Sequence, residues 1–128
     1  MRKLFFLIAA LFWSGVILFF CLIKSSDLPQ IEVPYLDKAI HATFHFVFTV
    51  LWFLFFKKKL NTSNIFRPLV ISFVFSFFFG IAIELMQQFF TTTRSADVMD
   101  ELANLSGATL AVITIVVLNT FDSIVDRI

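Results

Sequence analysis

Four long apolar runs, about Leu4 to Ile23, Ala39 to Phe56, Leu69 to Phe90 and Leu102 to Leu118, constrain this chain more than any other feature. Each is within or near the roughly 17–25 residues that cross a hydrocarbon core of about 30 Å. Unpaired backbone groups are too costly in lipid, so runs of this length have to be helices. Composition points the same way. The 128 residues are 59% hydrophobic and only 15% charged, with 20 Phe. A short chain leaves much of its surface exposed and cannot hide that much apolar area in a water-facing globule. The expectation is an all-α integral membrane bundle of four transmembrane helices, forming one domain over residues 1–128. The β-branched and Phe residues lower helix propensity only weakly, and the membrane overrides them.

The first run follows Arg2 and Lys3, as a signal peptide would. It is longer than the 7–15 residues of a usual signal core, and no A-x-A site follows, so it reads as a retained helix. Orientation follows from Lys and Arg. The N-terminus, the second loop (Lys57, Lys58, Lys59, Arg67) and the C-terminus (Arg127) hold seven of the ten, and the other side holds Lys24, Lys38 and Arg94. Both termini are therefore expected to be cytoplasmic, with the first and third loops outside. Asp27-Leu28-Pro29-Gln30 and Val33-Pro34 mark an extended outer loop. Arg67-Pro68 opens the third helix, where Pro is tolerated in the first turn. A net charge of +1 gives no reason to expect a nucleic-acid partner. The single Cys21 has no internal disulfide partner and reads as a buried thiol.

The polar residues are asymmetric. Asp27, Glu32, Asp37, Glu84, Asp97, Asp100, Glu101, His41 and His45 all fall on the outer side or in the outer half of a span. Asp37, His41 and His45 recur at i, i+4, i+8 and share one face of the second helix. From a start at Ala39, His45 lies roughly 9 Å deep. Glu84 lies about as deep below Phe90. A His45–Glu84 pairing is therefore expected, with Gln87 and Gln88 on the Glu84 face. Ser95 or Asp97 caps the fourth helix. Asp97, Asp100, Glu101 and Asn104 form its polar face, and Gly107 and Ala111 continue that face as a small-residue pair, which suggests a centrally packed helix. No polar residue is expected to continue through the inner half of the spans, which argues against a proton-coupled transporter. Trp13, Trp52 and the Phe stripes read as lipid-facing or packing residues.

These residues carry a resemblance. Asp37-Lys38-x-x-His41 is similar to the D-K-x-x-H motif of the VanZ-like family. Glu84-Leu85-x-Gln87, followed by Arg94-Ser95-x-Asp97-x-x-Asp100-x-x-Ala103-Asn104-x-x-Gly107, resembles its E-L-x-Q … R-x-x-D-x-x-D-x-x-x-N-x-x-G pattern. The match runs from about Asp37 to Ala111. It departs at His45, where family members often carry an aromatic or apolar residue. The resemblance implies a small bacterial inner-membrane protein, and the founding member is linked to low-level teicoplanin resistance.

The outer cluster holds five acids (Asp37, Glu84, Asp97, Asp100, Glu101) against Lys38 and Arg94, a formal −3 with neutral histidines. Three readings fit it. The first is a binding site at headgroup depth, built from Asp37, Lys38, His41, Glu84, Gln87, Arg94, Asp97, Asp100 and Asn104. It would take a lipid-linked cell-envelope intermediate or a lipophilic glycopeptide. The second is an intramembrane enzyme acting on lipid-linked phosphate or acyl groups, with His41, His45 and Glu84 as acid–base candidates. The third is a structural staple between helix ends. No HExxH, Cys cluster or nucleophile motif is present, so no metal ligands and no cofactor are assigned. Expected partners are membrane lipids and the lipid-linked or glycopeptide ligand.

Overall fold

The computed structural model describes residues 2–23, 36–91 and 96–121. They form four helices and, among the described residues, no strand: α1 Arg2–Leu22, α2 Leu36–Leu60, α3 Phe66–Phe90 and α4 Val98–Phe121. All four are long and apolar enough to cross a membrane, with mean hydropathies of 2.6, 1.8, 2.3 and 1.8. The helices α2, α3 and α4 outrun the apolar runs by about one turn. α2 extends through Asp37 and Lys38 at one end and Lys57 to Lys59 at the other. The reason is physical: apolar runs end where charges begin, whereas the helical backbone bonds continue past the edge of the hydrocarbon.

The visible caps are local. α2 stops at Asn61, whose φ of 48° lies in the left-handed region that Asn tolerates at a helix end. At the start of α3, Asn64 Oδ1 accepts the Phe66 N–H at 2.9 Å. Pro68 then sits in the first turn, as the sequence suggested.

Polarity is arranged inside out relative to a soluble bundle. Phe5, Phe12, Phe89 and Phe90 are exposed, whereas Thr49, Ser72, Ser76, His45, Gln87 and Asn104 are buried. A lipid-facing exterior explains both sets. Buried polar residues therefore do continue past the polar end, contrary to expectation. Ser and Thr scarcely lower hydropathy, and here Thr49 and Ser72 satisfy themselves locally: Thr49 Oγ1 donates to the His45 carbonyl at 2.7 Å and Ser72 Oγ to that of Leu69 at 3.0 Å.

α2 is the central helix and packs on the other three, while α4 packs on α2 and α3 but not on α1. The expected central position of α4 is thus corrected in favour of α2. The small-residue pair of α4 does bring backbones together. A Cβ at Gly107 would run into the Ala42 carbonyl of α2, and Ala111 is fully buried. On the other side of α2, Trp13 Nε1 donates to the Phe44 carbonyl at 2.9 Å and Trp52 Nε1 to Ser14 Oγ at 3.2 Å. Phe48 of α2 stacks on Phe79 of α3 with centroids 4.5 Å apart. Lipid tails are as apolar as Leu, so such contacts and interhelical hydrogen bonds, averaging about 0.6 kcal/mol each, hold a membrane bundle together.

Candidate functional site

The ends of α2, α3 and α4 that carry Asp37, Glu84 and Asp100 meet in one polar centre. Its outermost element is Lys38, in the first turn of α2. Its ammonium donates to three carboxylates: Asp37 Oδ2 at 2.9 Å, Asp97 Oδ2 at 2.9 Å and Asp100 Oδ1 at 2.6 Å. Lys38 is thereby a counter-ion, with its donors committed inside the protein.

Asp97 is the residue that caps α4. Its Oδ1 accepts the Met99 N–H at 2.9 Å, and its carbonyl accepts the Asp100 N–H at 3.0 Å. This is N-cap geometry, and a carboxylate there also complements the helix dipole. The Lys38 ammonium, followed by the Met99 N–H, holds the Asp97 carboxyl below the usual carboxylate range. The Asp97 N–H in turn donates to Glu84 Oε2 at 2.8 Å, which ties α3 to the start of α4.

One turn further in lies His41. Asn104 Oδ1 stands 3.2 Å from His41 Nδ1, and Asp100 Oδ2 stands 3.5 Å from His41 Nε2. The Asn104 amide is oriented by its other end, where Nδ2 donates to Glu101 Oε2 at 3.2 Å. With the amide oxygen turned to the ring, the tautomer protonated on Nδ1 would donate to Asn104 and present Nε2 to Asp100. Gly80 of α3 makes room for this arrangement, since a Cβ there would come within 2.5 Å of Glu101 Oε2 and 2.9 Å of Asn104 Nδ2.

Exposure falls steeply along this sequence, from a 65% exposed Asp37 side chain to Glu84 at 7% and Asn104 at 2%. At the inner end, Glu84 Oε1 and Glu101 Oε1 are buried with no hydrogen-bond partner among the described residues. The described centre holds five carboxylates and one ammonium. It is therefore rich in acceptors and poor in positive charge. One oxygen from each of Glu84 and Asp100 and a ring nitrogen of His41 lie within 4.8 Å of one another.

Of the residues expected at the site, Asp37, Lys38, His41, Glu84, Asp97, Asp100 and Asn104 converge here. Arg94 and Ser95 lie outside the described residues. Gln87 is buried but donates from Nε2 to the Cys21 carbonyl of α1 at 2.8 Å, and Gln88 Oε1 accepts the Ala96 N–H at 3.0 Å. Gln87 thus joins α3 to α1, and among the described residues it has no hydrogen bond to the Lys38–His41 group.

The expected His45–Glu84 pair does not form. α2 starts at Leu36, three residues before the assumed start, so His41 takes the level assigned to His45. The His45 ring instead meets Ser76 Oγ at 2.8 Å from Nδ1, deep against Phe79. Sequence reasoning passed over Ser76 and Gly80. Their only signal is that they break a run of Phe, Val and Ile in α3 and lie four apart, in line with Glu84.

Fold and site together define a small, four-helix membrane protein with a carboxylate-rich centre at one end of its bundle. The family model described as VanZ/LLP1 matches residues 5–119, nearly the whole chain, and the chain belongs to that family. No curated protein and no solved structure matches it.

Proposed function

We propose that this chain is a membrane-embedded binding protein whose polar centre takes the headgroup of a lipid-linked cell-envelope intermediate or of a lipophilic glycopeptide. The observation that carries the reading is the surplus of hydrogen-bond acceptors at one end of an apolar bundle, with the Glu84 and Glu101 carboxylates each leaving an oxygen without a hydrogen-bond partner among the described residues. Saccharide hydroxyls and amines are donors and complement such a centre. The ligand's chain would lie along the exposed Phe and Leu surface.

Lys38 is saturated by its three carboxylates. Any phosphate or carboxylate on the ligand therefore falls to Arg94, whose guanidinium suits bidentate contact. Membership of the VanZ/LLP1 family and the basic loop bias support a bacterial inner-membrane location, with both termini cytoplasmic and the polar centre outward. The test is binding of a polyprenyl-diphosphate-linked saccharide to the chain in nanodiscs. Saturable binding, weakened by Arg94→Ala, is expected. Binding that never saturates, or that the substitution leaves unchanged, contradicts the reading.

A further inference from the structure

We propose that His41, Glu84 and Asp100 form a binding site for one divalent transition cation, of the Zn2+ or Mn2+ type. The three come from three helices, yet one ligand atom of each lies within 4.8 Å of the others. In the tetrahedral set that Zn2+ takes, two ligands each at about 2.0–2.2 Å stand about 3.3–3.6 Å apart. Side-chain rotations that draw the widest pair together would bring the set into range.

Two further observations point to a ligand at this position. Glu84 is 7% exposed, and its Oε1 has no hydrogen-bond partner among the described residues. A buried carboxylate oxygen left in that state is costly unless a proton or a cation meets it. Among the described residues the cluster has five carboxylates and one ammonium, and that ammonium makes its ion pairs with Asp37, Asp97 and Asp100.

The second observation is that each of the three residues has one polar atom anchored by a group outside the trio. Asp100 Oδ1 is held by Lys38 at 2.6 Å, Glu84 Oε2 by the Asp97 N–H at 2.8 Å and His41 Nδ1 by Asn104 Oδ1 at 3.2 Å. Of the remaining atoms, Glu84 Oε1 has no hydrogen-bond partner among the described residues, and Asp100 Oδ2 and His41 Nε2 face each other at 3.5 Å. Outer partners that fix tautomer and orientation in this way are the usual support of a metal ligand set. One nitrogen and two carboxylate oxygens suit Zn2+ or Mn2+. Three protein ligands also leave a coordination position that water can fill. The site stands apart from the lipid reading, because the ion is measured with no headgroup ligand added.

The test uses the full chain without a polyhistidine tag, purified in detergent, dialysed against Zn2+ or Mn2+ and then against metal-free buffer. Elemental analysis is expected to give about one ion per chain. His41→Gln and Glu84→Gln should abolish stoichiometric binding, and Asn104→Ala should weaken it about 10–100-fold. Cys21→Ala should retain it, which excludes the thiol as ligand. Pulsed electron paramagnetic resonance of the Mn2+-loaded wild type should show coupling to a histidine nitrogen. That measurement needs no variant, so a misfolded substitution does not blur the result. Metal-free wild-type protein, unchanged stoichiometry in folded His41→Gln, or Mn2+ without nitrogen coupling would each overturn the site.

Discussion

Lys38 of α2 and Asp100 of α4 meet at 2.6 Å, the shortest of three ion pairs that one ammonium makes with two helices. The same ammonium reaches Asp97, the cap of α4, at 2.9 Å. A single lysine thus joins the ends of α2 and α4, and the Asp97 N–H passes the connection on to Glu84 of α3.

Replacing Lys38 by Met should therefore loosen the polar end as a whole. Breaking a buried pair costs about 3–5 kcal/mol, but the Lys38 side chain is 25% exposed. A loss of about 1–3 kcal/mol follows once solvent screening is allowed for. Thermal unfolding in detergent measures it, and the Lys38→Met chain should also lose its dependence on added salt.

Acid should act on the same network. The folded Asp97 carboxyl is held low by Lys38, so its contribution is complete above the unfolded value of about 3.9 and is lost as pH falls through the lower folded value. Stability should fall below about pH 4. Asp97→Asn should flatten that part of the curve in melting temperature against pH. An identical acid limb in the variant would contradict the assignment.

Gly107 and Gly15 provide a contrast between two helix glycines. A Cβ at Gly107 collides with the α2 backbone at Ala42, whereas one at Gly15 meets nothing within 4 Å. Gly107→Ala should cost at least the 1–3 kcal/mol typical of overpacking, because backbone cannot move aside as a side chain can. Gly15→Ala should be neutral or stabilise by up to about 1 kcal/mol. Paired thermal melts decide between them.

The His45–Ser76 bond is buried, so removing one partner should cost more than removing both. Ser76→Ala strands the His45 nitrogen and should lower stability by about 1–3 kcal/mol. His45→Phe with Ser76→Ala should recover part of that loss. A double-mutant cycle with no coupling energy would contradict the bond.

The four spans were legible in the sequence because length and hydropathy act residue by residue, with no need of tertiary contacts. The cap at Asp97 and the close approach at Gly107 were legible for the same reason, since each is a local spacing rule. The error lay in depth. Counting α2 from Ala39 placed His45 beside Glu84, and a start one turn earlier gave that level to His41. Hydropathy cannot see this shift, because Asp37 and Lys38 are helical without being apolar. The His41–Glu84–Asp100 grouping was equally out of reach. Its members lie on three helices, and the rotation of each helix about its axis is set by small residues such as Gly80 and Gly107, whose effect is where they let neighbours approach.

The central claim is that the polar centre at the meeting of α2, α3 and α4 receives a headgroup. Native mass spectrometry of the chain, released from membranes of cells making lipid-linked envelope intermediates, tests it most directly. The account predicts one lipid-linked species retained by the wild type far above its membrane abundance and lost in Arg94→Ala. Wild type and variant carrying the same phospholipids, in the proportions of the membrane, would contradict it.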